Sequence, residues 1–313
     1  MSRHTMASAA RWYGVPGWSL IVPIMLTLTL SACGSSGTRA AHPSATATNT
    51  AVGSRTATAT ATPQTGPAAT PTVSLAQLTV YAGVNGDSFY ALNAATGAVR
   101  WHTDIVGEAN KPTVVNGVVY VTTQSGYVYA INAGAVLWSK QLAGGSSSRT
   151  TLANGIVYVA SDTGTVYALD AGNGTERWHY ITGGMITGTV AVPGDGAAYV
   201  GSADSYVYAL DAGSGTLKWR YQTATAIEFT SPNVANGLVY CGADNGMLYA
   251  LRTGNGELTW SYQTGGQIFG KPSLANGNVY FGSSDHRFYA LDAGTGALVW
   301  KYTTGDAATG TTL

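Results

Sequence analysis

VYALDAGSGTLKW, residues Val207 to Trp219, decides the fold because the chain writes it again and again. Close copies are VYALDAGNGTERW (Val166 to Trp178) and FYALDAGTGALVW (Phe288 to Trp300). Looser copies are FYALNAATGAVRW (Phe89 to Trp101), VYAINAGAVLW (Val128 to Trp138) and LYALRTGNGELTW (Leu248 to Trp260). Successive tryptophans lie 37, 40, 41, 41 and 40 residues apart. A period of about forty residues is that of a four-stranded propeller blade and excludes heptads and short solenoid repeats.

Turn chemistry places the strands within each unit. Asn116-Gly117, Asn154-Gly155, Asp195-Gly196, Asn236-Gly237 and Asn276-Gly277 stand between apolar runs. Both positions of such a turn need positive φ, which Asn, Asp and Gly tolerate, so each pair predicts a tight hairpin. The run that follows, such as Val118 to Val121 or Ile156 to Val159, is apolar at consecutive positions, as in a strand covered on both faces. A polar link leads to the Tyr-Ala-Leu strand, and the Asp-Ala-Gly turn leads to an outer strand carrying the tryptophan. The expected fold is all-β: a β-propeller of six four-stranded blades over residues 74–313.

Composition agrees. Only 10% of residues are charged while glycine reaches 41, a balance that suits short strands joined by tight turns. Lys plus Arg and Asp plus Glu number 15 each, so the basic surface that nucleic-acid binding requires is missing and no nucleic-acid partner is expected.

The first 73 residues differ in character. Arg3 and Arg11 precede an uncharged stretch, Trp12 to Ala32, that ends in small residues, which is the order of an export signal over residues 1–32. Leu30-Ser31-Ala32-Cys33 resembles the bacterial lipobox, so Cys33 is expected to carry the lipid anchor. An uncleaved membrane helix is the competing reading, which Pro16 and Pro23 fit less well. Residues 33–73 collapse to Ala, Thr, Ser, Gly and Pro and read as a disordered tether. Either reading leaves the remainder exported, membrane-anchored and on the extracytoplasmic side of the cell envelope.

The pattern Tyr-x-Gly-Ser-x-Asp, then Tyr-Ala-Leu-Asp-Ala-x-x-Gly-x-x-x-Trp, resembles the repeat of pyrroloquinoline-quinone-type (PQQ-like) propellers. That family includes quinoprotein alcohol dehydrogenases and the outer-membrane assembly lipoprotein BamB. The resemblance, with the signal and lipobox, implies a non-enzymatic binding or scaffold lipoprotein that holds a protein partner through propeller loops. It implies as alternatives a PQQ-dependent dehydrogenase using the quinone with calcium, or an envelope sensor or glycan-binding propeller. No adjacent cysteine pair is present and the dehydrogenase's catalytic Asp and metal ligands map onto no residue, so no cofactor is expected outside that alternative.

Residues needed once per unit are expected to pack the blades. These are Tyr90, Tyr129, Tyr167, Tyr208, Tyr249 and Tyr289, and Trp101, Trp138, Trp178, Trp219, Trp260 and Trp300. Asp170, Asp211 and Asp292 are expected to hold the turn; the other copies carry Asn93, Asn132 and Arg252, which speaks against a shared metal site. His102 and His179 follow repeat tryptophans on different units, and His286 has no partner at metal-ligand spacing. No catalytic or metal residue is expected, and Cys241 reads as a buried small hydrophobe. Two features bear on closure: Ser74 to Gly83 aligns on Ser273 to Gly282, and Thr311 to Leu313 repeats Thr150 to Leu152. The expectation is a six-bladed ring with the first and sixth blades packed together and the segment after Gly305 reaching the first blade.

Overall fold

The computed structural model describes residues 74–84 and 87–308. The described residues belong to one compact unit. The expected signal, Cys33, the tether and Thr311 to Leu313 lie outside the described residues.

Six antiparallel sheets follow one another along the chain. Sheet one holds β1 (Thr79–Val84), β2 (Ser88–Asn93) and β3 (Val99–Asp104). Sheet two holds β4 (Thr113–Val115), β5 (Val118–Thr122), β6 (Tyr127–Asn132) and β7 (Ala135–Gln141). Sheet three comprises β8 (Thr151–Ala153), β9 (Ile156–Ala160), β10 (Thr165–Asp170) and β11 (Glu176–Ile181). Sheet four has β12 (Ala197–Ser202), β13 (Tyr206–Asp211) and β14 (Leu217–Gln222). Sheet five has β15 (Asn233–Ala235), β16 (Leu238–Gly242), β17 (Met247–Arg252) and β18 (Leu258–Gln263). Sheet six has β19 (Ile268–Ala275), β20 (Asn278–Ser283), β21 (Arg287–Asp292) and β22 (Leu298–Thr303).

Two sheets therefore have three strands where four were expected, each for a local reason. In sheet one the segment aligned on an inner strand is a 3-10 turn, Leu75–Gln77, capped by Ser74. Sheet six makes its hairpin with Asn276 and Gly277 at φ 49° and 77°. Gln77 and Leu78 stand at those positions in sheet one, and such side chains resist the left-handed region. Arg100 fixes the 3-10 turn instead, donating from Nη2 to the Ala76 and Leu78 carbonyls at 2.5 and 3.1 Å. In sheet four the hairpin reads Val192-Pro193-Gly194-Asp195-Gly196, and positive φ falls on Gly194 and Gly196, not on Asp195 as expected. Proline cannot donate to a ladder. The inner segment makes one bridge, Ala191 with Tyr199, and Asp195 accepts from the Ala197 N–H and the Tyr199 hydroxyl.

The sheets pack face to face in sequence order. On the leading face of sheet four, Tyr199 and Trp219 meet at 5.8 Å and 45°, beside buried Val207 and Ala209, and cover Val239, Cys241, Tyr249 and Leu251 of sheet five. Tilted aromatic pairs of this kind add about 0.5–1.5 kcal/mol beyond area burial. Similar clusters join sheets one to two, two to three, three to four and five to six. A bulge recurs after the central Ala of every Tyr-Ala-Leu or Tyr-Ala-Ile strand, as between Ala209 and Leu210. It leaves the residue before each tryptophan unpaired and turns the indole toward the following sheet.

Each indole then lands on a glycine. A β-carbon on Gly174, Gly215, Gly256 or Gly296 would lie 2.6 Å from the ring of Trp138, Trp178, Trp219 or Trp260, respectively. The same four indoles donate Nε1–H to the carbonyls of Ala171, Ala212, Thr253 and Ala293 at 2.8–3.0 Å. These tryptophans are 8–9% exposed. Trp300 is not: it is 45% exposed. Among the described residues no apolar cluster joins sheet six to sheet one, which corrects the expected packing of those two sheets. The chain up to Ala308 stays on sheet six, where Ala308 donates to the Ser283 carbonyl at 3.1 Å as Ile227 does to Ser202 at 3.2 Å.

Candidate functional site

The inner segments of sheets two to six bound one cavity of about 460 Å³. It is lined by Pro112 and Thr113, Arg149 to Thr151, Thr189 to Pro193, Ser231 to Val234, and Gly270 and Lys271. The inner strands of sheets two, three and five have three residues each, and side chains tie the inner segments to each other. Thr113 donates to the Thr150 carbonyl at 2.6 Å, Thr151 to Val190 at 2.7 Å and Asn233 to Pro272 at 2.8 Å, while the Ser231 hydroxyl accepts from the Thr189 N–H at 2.8 Å. Sheets five and six are also joined by backbone, through a parallel bridge between Thr230 and Gly270. Hydroxyl and amide groups thus fix the wall, because each satisfies a main-chain group that would otherwise lack a partner.

The lining carries two cations, Arg149 and Lys271, and no carboxylate. Surrounding protein, and then the Arg149 charge, hold the Lys271 ammonium below its ordinary pKa. Such a wall favours an anionic or acceptor-rich group over a cation. At the start of the sheet-five and sheet-six segments stand Phe229 and Phe269, with ring centroids 5.9 Å apart. Phe229 is 50% exposed. Its carbonyl accepts from the Gly270 N–H at 2.8 Å, so the aromatic pair is held by the same backbone link that joins the two sheets. An exposed ring braced by a half-buried one beside a cavity suits contact with a partner's apolar side chains.

The sequence-selected residues fall elsewhere. Tyr129, Tyr167, Tyr208, Tyr249 and Tyr289 are buried between sheets, while Tyr90 is half-buried on the first sheet. Their hydroxyls clamp the loops: Tyr129, Tyr167 and Tyr249 accept from the Val106, Ala143 and Ala224 N–H groups. Tyr208 and Tyr289 donate to Asp204 and Asp285, and burial with the nearby Asp285 pushes the Tyr289 hydroxyl up to about 12. Asp170, Asp211 and Asp292 accept from N–H groups of their own turns. His102 stacks on Tyr90 at 5.7 Å, and His179 Nδ1 lies 2.7 Å from Glu176. Cys241 is fully buried, and burial pushes its thiol up to about 12. Among the described residues no group of three or more His, Cys, Asp or Glu is gathered. Arg149, Lys271, Phe229 and Phe269 escaped the reading of the sequence because they stand outside the recurring stretch from Tyr-Ala-Leu to Trp. One signal was there: Phe229-Thr-Ser-Pro232 and Phe269-Gly-Lys-Pro272 share Phe-x-x-Pro at one offset.

Sheets of this kind, packed in order with their first segments around one cavity, define a β-propeller of PQQ-like repeats. The chain belongs to the family described as outer membrane protein assembly factor BamB, which matches residues 42–134, 124–235 and 228–312. It is 42% identical over 66 residues to the BamB of Yersinia pestis, a match spanning 20% of this chain and only 17% of that protein. Among solved structures it resembles BamB from Moraxella catarrhalis, with a TM-score of 0.66 at 20% identity, covering 75% of this chain and 76% of that one. It resembles equally the computationally designed Ika8 protein, with a TM-score of 0.67 at 17% identity over 74% and 73% of the two chains. At those identities the structures speak for the fold alone.

Proposed function

We propose that the protein is a non-enzymatic binding or scaffold component of the cell envelope, anchored through Cys33, that holds a protein partner at the mouth of its central cavity. The observation that carries this reading is the half-exposed Phe229 packed at a tilt against Phe269 beside the cavity. A large aromatic left in water costs burial energy that a partner can recover, and aromatic rings are what dominate protein–protein contacts. Membership of the BamB family supports a role in holding proteins together, since the family's description is that of an assembly factor. The tether would set the propeller off the membrane by roughly 35 Å, from about 5.5 Å times the square root of about 40 residues.

A photo-crosslinking residue placed at Phe229 in the full chain, expressed in its own host, should capture one protein repeatedly. The same probe at Val99, exposed on β3, should not. Phe229→Ala with Phe269→Ala should weaken binding of the purified partner at least tenfold, because central aromatic anchors carry about 2 kcal/mol or more. Equal capture from both positions, or unchanged affinity in the double variant, overturns the reading. Metabolic labelling with palmitate should mark the wild type and not Cys33→Ala.

A further inference from the structure

One register position gathers the charge of the cavity. In sheets two, three, five and six, Thr113, Thr151, Asn233 and Ser273 of the inner strand each pair with a tyrosine of the next strand, Tyr120, Tyr158, Tyr240 and Tyr280. In sheet four the bridge between Ala191 and Tyr199 marks the same place. Two residues earlier stand Lys111, Arg149, Ser231 and Lys271, and in sheet four Thr189. That position therefore carries three cations, two hydroxyls and no carboxylate. Arg149 and Lys271 line the cavity of about 460 Å³ together with Thr189 and Ser231, and Lys111 adjoins the lining Pro112. Basic and acidic residues number 15 each, so a cluster of one sign is no consequence of composition. On the outer strands, by contrast, Lys140, Arg177 and Lys218 sit against Glu176, Asp170 and Asp211 at 3.5, 2.6 and 3.6 Å. The lining hydroxyls of Thr113, Thr150 and Thr151 donate to carbonyls of the protein itself. They hold the shape of the wall, and the charge offered to the interior is that of the cations.

We infer that the cavity is a binding site for a small, multiply charged anion bearing phosphate or carboxylate groups, held by Arg149 and Lys271 with Lys111 at its edge. Like charges gathered in a cleft repel one another and focus a positive potential, and an anion between them relieves the first and is concentrated by the second. The Arg149 charge already acts on Lys271 in this way, favouring loss of its proton. Guanidinium and ammonium donors make charge-assisted hydrogen bonds to phosphate and carboxylate oxygens, roughly twice as strong as neutral ones. The cavity volume falls within the roughly 300–1,000 Å³ of small-molecule sites. Thr189 and Ser231 put neutral groups at the same register position. The ligand's charge would thus be met from sheets two, three and six, and its uncharged oxygens from sheets four and five. Such a site needs no protein partner at Phe229.

Isothermal titration calorimetry of the full chain in mild detergent, at about 0.15 M salt so that exposed charges are screened beyond roughly 8 Å, should show pyrophosphate or citrate binding once per chain. Arg149→Gln and Lys271→Gln should each weaken that binding at least tenfold, and Lys111→Gln by less. Lys218→Gln, which removes the same charge from outer strand β14, should leave it unchanged. Footprinting needs no variant to fold: the tighter probe should slow phenylglyoxal modification of Arg149 and acetylation of Lys271, while Arg177 and Lys218 react as before. Tighter binding of pyrophosphate assigns a phosphate compound, and tighter binding of citrate a carboxylate compound. Binding of neither probe, or protection spread evenly over arginines and lysines, overturns the inference. So does a loss of affinity in Lys218→Gln equal to that in Arg149→Gln. Binding of a glutamate-rich peptide with neither small anion bound also overturns it, since the cavity would then serve a protein's acidic segment. Loss of Phe229 capture would leave each of these results unchanged.

Discussion

At the scale of single residues, the turn aspartates show how charge is used in a chain with few charges. Asp211 accepts from the Gly213 and Ser214 N–H groups and the Ser214 hydroxyl at 2.9–3.1 Å. Those donors, with Lys218 nearby, hold its carboxyl below its usual value of 3.8. Asp170 and Asp292 are lowered in the same direction by Arg177 and by Thr295, respectively. A carboxyl with a depressed folded pKa stabilises the fold above its ordinary value and loses that contribution as pH falls through the folded one. The urea midpoint should therefore drop as pH falls below about 4. Asp211→Asn should flatten part of that fall while keeping most of the stability at pH 7, because Asn93 makes the corresponding contacts to Ala95 and Thr96 with a neutral side chain. An unchanged pH slope in Asp211→Asn would contradict this role. The aspartates were legible in the sequence since turn chemistry is local; Arg149 and Lys271 were not, because nothing local brings residues so far apart to one cavity.

At the scale of elements, the outer strand is the unit of cohesion between sheets. The bulge aims each tryptophan forward, and the next sheet supplies a glycine and a carbonyl. Trp219→Ala removes an 8% exposed indole together with its 2.8 Å bond to Thr253, and should lower stability by about 3–5 kcal/mol, the range for large-to-small aromatic changes in cores. Trp300→Ala, at the same repeat position but 45% exposed, should change stability by less than about 0.5 kcal/mol. Equal losses in the two variants would show that sequence position and not burial sets the contribution. The repeat made these strands readable, including their order within each sheet. It could not show that Leu75–Gln77 and the Pro193 segment fall out of the ladder, because alignment preserves register while one missing Asn-Gly or one proline removes the geometry a ladder needs.

At the scale of the whole molecule, sheets packed on their sequence neighbours behave as a one-dimensional array, whose stability sums unit and interface contributions. Among the described residues, sheets one and six each share one apolar interface where the other sheets share two. Hydrogen exchange in dilute solution should accordingly be fastest in β1 and β22 and slowest in β10 and β13, and uniform protection across all six sheets would mean that the ends are covered within one chain.

The sequence by itself determined the all-β class, the six units, their strand order and the residues that pack one unit on the next. All of that is local or recurs at one fixed period, so each copy states it independently. Only the tertiary structure decided that Phe229 packs against Phe269, that Arg149 and Lys271 share a cavity wall, and that Trp300 is left more exposed than the other repeat tryptophans. Those facts depend on how successive sheets turn about one another, a sum of small rotations that no single repeat encodes.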